Sequence, residues 1–141
     1  AEASAVKTKP QSAEPAKDKP EDLYNSGVKL IKENQTVQGR KVLAIFLKNY
    51  PKGGKLEDDA QYWIGMSYFQ EKNYHQAVME FQKIGDNYPK GDMVDDSLFM
   101  LGECLRKLGM KDDAKLFYKD LIDRFPKSPL ADKARQILKM L

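Results

Sequence analysis

A proline preceded by an aromatic residue recurs three times in the chain, in "NYPKGGK", "NYPKGDM" and "RFPKSPL", and the intervals from Pro51 to Pro89 to Pro126 are 38 and 37 residues. The same offsets recover Gly27, Gly65 and Gly102, the small residues Gly39, Ala77 and Ala114, and the aromatics Tyr50, Tyr88 and Phe125. Four position classes on one period define an internal repeat, and a unit this short has to bury its apolar face against its neighbours. The lysines and glycines behind each proline are read as punctuation. A phosphate-binding loop of the Walker type would need glycine at Asn49 and Ser or Thr at Leu56.

Within a unit the apolar spacing is helical. In "NYHQAVMEFQKIGDNYP" the residues Tyr74, Ala77, Val78, Phe81 and Tyr88 fall on one face. Each unit therefore reads as two helices, the first centred on the glycine and the second on the small residue, with Asn34, Asn73 or Gly109 marking the turn between them. A hydrogen or a methyl at both crossing points lets the two backbones approach closely. Proline disfavours helical conformation in the residue before it, so each second helix is expected to end at its aromatic. Lys52, Lys90 and Lys127 then sit beside a negative helix end, and Asp58, Asp95 and Asp132 near the positive start of the next helix. Each such placement contributes about 0.3 to 1 kcal/mol when exposed. In "SPLADKARQILKML" the stripe Leu130, Ala134, Ile137, Leu138 and Leu141 predicts a seventh helix that covers the open end of the third unit.

The rest of the chain narrows the function. Residues 1–20, "AEASAVKTKPQSAEPAKDKP", hold one large aliphatic side chain and no aromatic. Such a stretch cannot offset its ordering entropy of roughly 1 to 2 kcal/mol per residue, and a disordered linker is expected there. The "AEAS" start without methionine fits a processed protein or a fragment. The longest apolar run, "VLAIFL", is too short to span a bilayer. Lys plus Arg number 24 against 21 Asp plus Glu, interspersed throughout, which argues against nucleic acid as the partner. One cysteine and one histidine build no standard Cys/His metal site. Cys104 reads as a small buried side chain, and His75 has no relay partner in sequence. The acidic runs Glu57–Asp58–Asp59 and Asp95–Asp96 lack the glycine-centred loop of alternating ligands that calcium sites use. No metal, no cofactor and no catalytic residue is expected.

The middle unit, with Ile64, Gly65, Tyr68, Ala77, Phe81 and Pro89, resembles the tetratricopeptide signature L-G-x-x-Y…A-x-x-x-F…P. The third unit departs at Leu105 and Tyr118, and the first has Gly39 and Leu43 where alanine and phenylalanine are usual. What the resemblance implies is an all-α, right-handed superhelical solenoid of three tetratricopeptide-like helix pairs plus a C-terminal capping helix. The domain would run over 21–141, with repeats at about 21–52, 55–90 and 92–127 and the cap at 128–141. In this family the first helices line a concave groove that holds a segment of a partner protein. Carried over by alignment, the groove positions are Tyr24, Val28 and Ile31, then Tyr62, Met66 and Phe69, then Phe99, Glu103 and Arg106. An aromatic recurs at one register as Tyr24, Tyr62 and Phe99. Apolar side chains at that register imply recognition of a segment through apolar anchors; ordinary packing between repeats is the competing reading.

A finer resemblance rests on "AQYWIG" and "NYPKGDMVDDSLFMLG" behind a Pro-rich charged linker. These strings are similar to the C-terminal domain of the Tol-Pal system coordinator family CpoB, also called YbgF. That resemblance implies the Gram-negative periplasm, a TolA-like or peptidoglycan synthase partner, oligomerisation through an upstream coiled coil, and a link between outer-membrane constriction and septal peptidoglycan synthesis in cell division. The alternative is an outer-membrane assembly component resembling BamD, or another periplasmic tetratricopeptide adaptor.

Overall fold

The computed structural model describes residues 19–50 and 55–141. Among them are seven helices and no strand: α1 Pro20–Lys32, α2 Thr36–Asn49, α3 Leu56–Gln70, α4 Tyr74–Asn87, α5 Val94–Lys107, α6 Lys111–Arg124 and α7 Pro129–Met140. Three antiparallel pairs, α1–α2, α3–α4 and α5–α6, stack in chain order, and α7 packs on α6 and α5. The architecture is an all-α solenoid, as expected. The linker expectation for residues 1–18, and the roles given to Pro51 and Lys52, lie outside the described residues. Pro20 already belongs to α1, at a first-turn position where its missing N–H costs nothing.

The same turn closes all three pairs. Gln35 N–H donates to the Leu30 carbonyl at 2.8 Å and Asn34 N–H to Ile31 at 3.0 Å; Asn73 to Tyr68 with Lys72 to Phe69, and Met110 to Leu105 with Gly109 to Arg106, repeat the arrangement. This is the Schellman motif, and it needs a left-handed residue just after the helix. Asn34 (φ 67°), Lys72 (φ 63°) and Gly109 (φ 79°) fill that position. Asn73 is therefore not the middle turn residue. Its side chain instead accepts the Gln76 N–H and caps α4, while a lysine occupies the strained position.

The periodic glycines have a more specific reason than close backbone approach. A Cβ on Gly65 would lie 2.6 Å from the Phe81 ring, and one on Gly102 2.6 Å from the Tyr118 ring. Each first helix thus gives up a side chain to seat a ring from the second. In the first pair Leu43 takes the ring's place against Gly27, and the helices come closer: a Cβ on Gly39 would lie 2.8 Å from the Gly27 carbonyl oxygen and 2.5 Å from Ile31 Cγ1. The core divides accordingly. Leu23, Val28, Ile31, Leu43, Phe46, Ala60 and Ile64 form one cluster, and a larger one runs from Ala77 and Phe81 through Leu101 and Tyr118 to Ala134.

Candidate functional site

The positions expected to line a groove lie on the first helices of the pairs, α1, α3 and α5. The nine residues expected to line it divide into three groups. Val28 is 8% exposed and Ile31 wholly buried; both belong to the first core cluster, and Ile31 fills the space that Gly39 leaves open. These two expected groove positions are corrected to core positions, because the close α1–α2 approach turns that stripe of α1 inward.

Tyr24, Tyr62 and Phe99 form a second group. Each is half-buried, and each packs against a ring of its own second helix: Tyr24 on Phe46 at 6.1 Å, Tyr62 on Phe81 at 5.6 Å and Phe99 on Tyr118 at 6.0 Å between centroids. The recurring register is first of all a stack inside each pair, with part of each ring left exposed. In the first pair the partner ring comes one turn later, from Phe46, because Leu43 occupies the ring position. Such aromatic pairs contribute about 0.5 to 1.5 kcal/mol beyond area burial.

The third group is Met66, Phe69, Glu103 and Arg106. Met66 is half-buried against the larger core, and Phe69 lies edge-on to Tyr74 at 5.3 Å, inside its own pair. Glu103 accepts from the Tyr118 hydroxyl at 2.6 Å and from Arg106 Nη2 at 2.9 Å. Burial and the bond to Glu103 together push the Tyr118 phenol well above its usual range. The Arg106 Nε is buried without a hydrogen-bond partner. Nearby, burial and then the Glu103 charge push the Cys104 thiol up to about 12, so it stays protonated and inert.

Sequence reasoning missed two features of the first helices and the loops beside them. Trp63 is not among the positions carried over by alignment, yet its ring meets Tyr62 at 5.9 Å and carries the Lys32 ammonium 5.2 Å from its centre. The second feature is acidic. Asp58 and Asp59 at the start of α3 and Asp92 in the loop before α5 each place a carboxylate oxygen within 4.8 Å of the others. Burial, then Asp58, then Asp92 and Asp96 raise the Asp59 carboxyl to about 6. Asp96 is raised to about 6 by burial, Asp95 and Asp92. Burial and the Asp59 charge push the Tyr24 phenol up to about 12, and burial with the Asp96 charge does the same to Tyr62. The acids of α3 and α5 are far apart in sequence, and only the stacking of two helix starts with the intervening loop brings them together.

A polar tie fixes the first pair against the second. Arg40 of α2 donates to the Ser67 hydroxyl at 3.1 Å and to Glu71 at 2.6 Å, and its guanidinium lies 4.0 Å from the centre of the Tyr68 ring. Thr36 also donates to Glu71. Burial alone would raise the Glu71 carboxyl, but the bonds from Arg40 and Thr36 outweigh it and hold it below its usual value.

Comparison with known proteins agrees with this geometry. The tetratricopeptide-repeat family model matches residues 59–91 and 96–128, the stretches that contain α4 and α6 with most of α3 and α5. A solved structure of MamA AMB-1 superposes with a TM-score of 0.58 at 18% sequence identity, covering 89% of this chain and 72% of that one. No curated protein sequence matches significantly. The first pair lies outside the family model and has Gly39 and Leu43 at two of the signature positions, but it stacks on the second in the same way. The chain is an all-α solenoid carrying tetratricopeptide repeats over residues 59–91 and 96–128.

Proposed function

We propose that the chain is a non-enzymatic scaffold that holds a segment of a partner protein across its inner face. The observation that carries this is the row of half-buried rings on successive first helices, Tyr24, Trp63 with Tyr62, and Phe99, whose exposed edges offer apolar anchors at the spacing of the pairs. A photo-crosslinking residue placed at Trp63 or Phe99 should trap the partner in cells. The same residue at Leu116, on the outer side of α6 and 64% exposed, should not. Partner capture only from Leu116 would overturn the reading.

The finer assignment is to the cell envelope, as a periplasmic coordinator of the CpoB (YbgF) type acting with a TolA-like or peptidoglycan synthase partner in cell division. It is supported by "AQYWIG", in the middle of α3, and "NYPKGDMVDDSLFMLG", which runs from the end of α4 into α5. The identity of the crosslinked protein tests it. A Tol-Pal component supports the coordinator, whereas an outer-membrane assembly component would move the assignment to the BamD type.

A further inference from the structure

Stacking of the pairs repeats one joint, in which the start of a first helix meets the loop that leads into the next first helix. The two copies among the described residues use different chemistry. In the later joint Asp95, at the start of α5, accepts the Asp96 N–H at 3.0 Å with Oδ1 and the Ser128 hydroxyl at 2.8 Å with Oδ2. In the earlier joint Asp58, one period before Asp95 and at the start of α3, likewise accepts the Asp59 N–H at 2.9 Å with Oδ1. Gly91 stands where Ser128 stands in the later joint, and it has no hydroxyl to give; a Cβ there would collide with Asp58 Oδ2. Asp58 bonds instead to the side chain of the next residue, Asp92, and one carboxylate oxygen from each of Asp58, Asp59 and Asp92 lies within 4.8 Å of the others. A hydroxyl brings its own donor at any pH, whereas two ionised carboxylates have only acceptors. The bond between Asp58 and Asp92 therefore needs one proton.

We propose that the joint between the second and third pairs is a proton-operated latch: Asp58 holds a proton and donates it to Asp92 while the joint is closed, and loss of that proton to water releases the loop over 88–93 from α3. Asp58 is the member that carries the proton, because it is 6% exposed whereas Asp92 is exposed, and burial penalises the charged form. Burial, then the Asp92 charge, then the bond to Asp92 hold the Asp58 carboxyl above its usual range. The titratable and charged groups around the pair are Glu57 and Asp59 on α3, Lys55 before it, Tyr88 and Lys90 in the loop, Tyr24 of α1 and Asp96 of α5. No ion pair of the described residues includes Lys55 or Lys90, so Asp58 and Asp92 repel once the proton leaves. Because the folded-state value of Asp58 is raised, the contribution of the closed joint is full below about pH 4 and is lost as pH rises through that raised value. Tyr62 and Phe99 stand on the two helices that the joint connects. In the groove reading, on which this last consequence alone rests, the same proton sets the spacing of two anchors.

The test is amide hydrogen exchange of the full chain by NMR, expressed as protection factors at about pH 4 and about pH 7. The Gly91 N–H, bonded to the Tyr88 carbonyl at 3.0 Å, reports on the earlier joint, and the Ser128 N–H, bonded to the Phe125 carbonyl at 3.0 Å, on the later one. Protection at Gly91 should fall at least about tenfold from the lower pH to the higher, while protection at Ser128 holds. In Asp58→Asn the side-chain amide donates to Asp92 at either pH, so Gly91 should stay protected throughout. In Asp92→Ala the acceptor is gone, and Gly91 should be unprotected at both values; Asp92 is exposed, so this change leaves the core intact. Equal protection of Gly91 at the two pH values in the unaltered chain would overturn the latch. So would a fall in Asp92→Ala as large as in the unaltered chain, which would trace the pH response to other acids. The readout needs no partner, so its failure leaves the groove reading standing.

Discussion

Replacing Gly39 by alanine tests the packing logic of the solenoid, because the sign of the effect is set by geometry against helix propensity. The added methyl would meet Ile31 Cγ1 at 2.5 Å, the Gly27 carbonyl oxygen at 2.8 Å and the Ile31 backbone nitrogen at 3.1 Å. Carbon contacts relax at about 3.5 to 4.0 Å, so α1 and α2 must part by roughly 1 Å, and a gap of that size forfeits about a quarter to a half of each contact it opens. Two of the three obstacles are backbone atoms, which no rotamer change can move. Overpacking of this kind costs about 1 to 3 kcal/mol, and alanine returns about 1 kcal/mol of helix propensity. The net expectation is a loss of up to about 2 kcal/mol, or up to roughly 8 °C in Tm for a domain of this size. Gly85 is the control: it too lies inside a helix, but its Cβ would meet nothing within 4 Å, so Gly85→Ala should gain about 0.5 to 1 kcal/mol. Urea and thermal unfolding followed by far-ultraviolet circular dichroism measure both. If Gly39→Ala stabilises as much as Gly85→Ala, close approach is not why glycine stands at 39.

Three further outcomes are expected. Asp59 and Asp96 have folded-state pKa values raised to about 6 from 3.8, so the folded chain binds more protons than the unfolded one between these limits. Their favourable contribution is full below about pH 4 and is lost as pH rises through about 6. Asp59→Asn or Asp96→Asn should therefore stabilise the chain at neutral pH by about 0.5 to 1 kcal/mol after allowance for solvent screening, with the gain vanishing near pH 4; a gain independent of pH would contradict the account from burial and repulsion. Lys72→Gly removes a left-handed lysine and should add about 0.5 to 1 kcal/mol in chemical denaturation, while Gly109→Ala should lose a similar amount. Arg40→Ala should cost about 1 to 2 kcal/mol, and Arg40→Lys should recover less than half of it, because an ammonium cannot lie flat on Tyr68 while reaching both Ser67 and Glu71; full rescue by lysine would reduce the tie to simple charge.

The helix pairs were legible in the sequence because a period near 38 repeats the same steric demand, and Gly65 and Gly102 report directly the rings they accommodate. The left-handed residue of the turn in the second pair was not. Asn73 does lie in that turn, but the left-handed residue is Lys72 before it, and only the backbone angle shows this. Ile31 was misplaced because alignment to a family fixes a helical register, whereas the depth of a side chain depends on how close the facing helix comes. The tight Gly27–Gly39 crossing draws that stripe inward. Tyr24, Tyr62 and Phe99 were found by their repetition, yet their periodicity is equally demanded by stacking on Phe46, Phe81 and Tyr118. The convergence of Asp58, Asp59 and Asp92 had no local signal, since it arises from two segments joined by the whole length of α3 and α4.

The division of the core into two clusters affects how the chain bears tension. Ala60 and Ile64 of α3 belong to the first cluster, while Tyr62, Met66 and Phe69 pack against the second, so α3 is a shared wall between two compartments. Across that wall the outer helix α2 is tied through Arg40, Thr36 and Glu71. A pull entering at Lys19 loads the α1–α2 pair first, and the charged tie near the turn of the second pair resists it together with the apolar seam at Ala60 and Ile64. The first pair can then peel away as one piece, lengthening the molecule while the remaining pairs and α7 keep their form. Such a solenoid yields in steps, and the first step breaks both the apolar seam at Ala60 and Ile64 and the Arg40 tie.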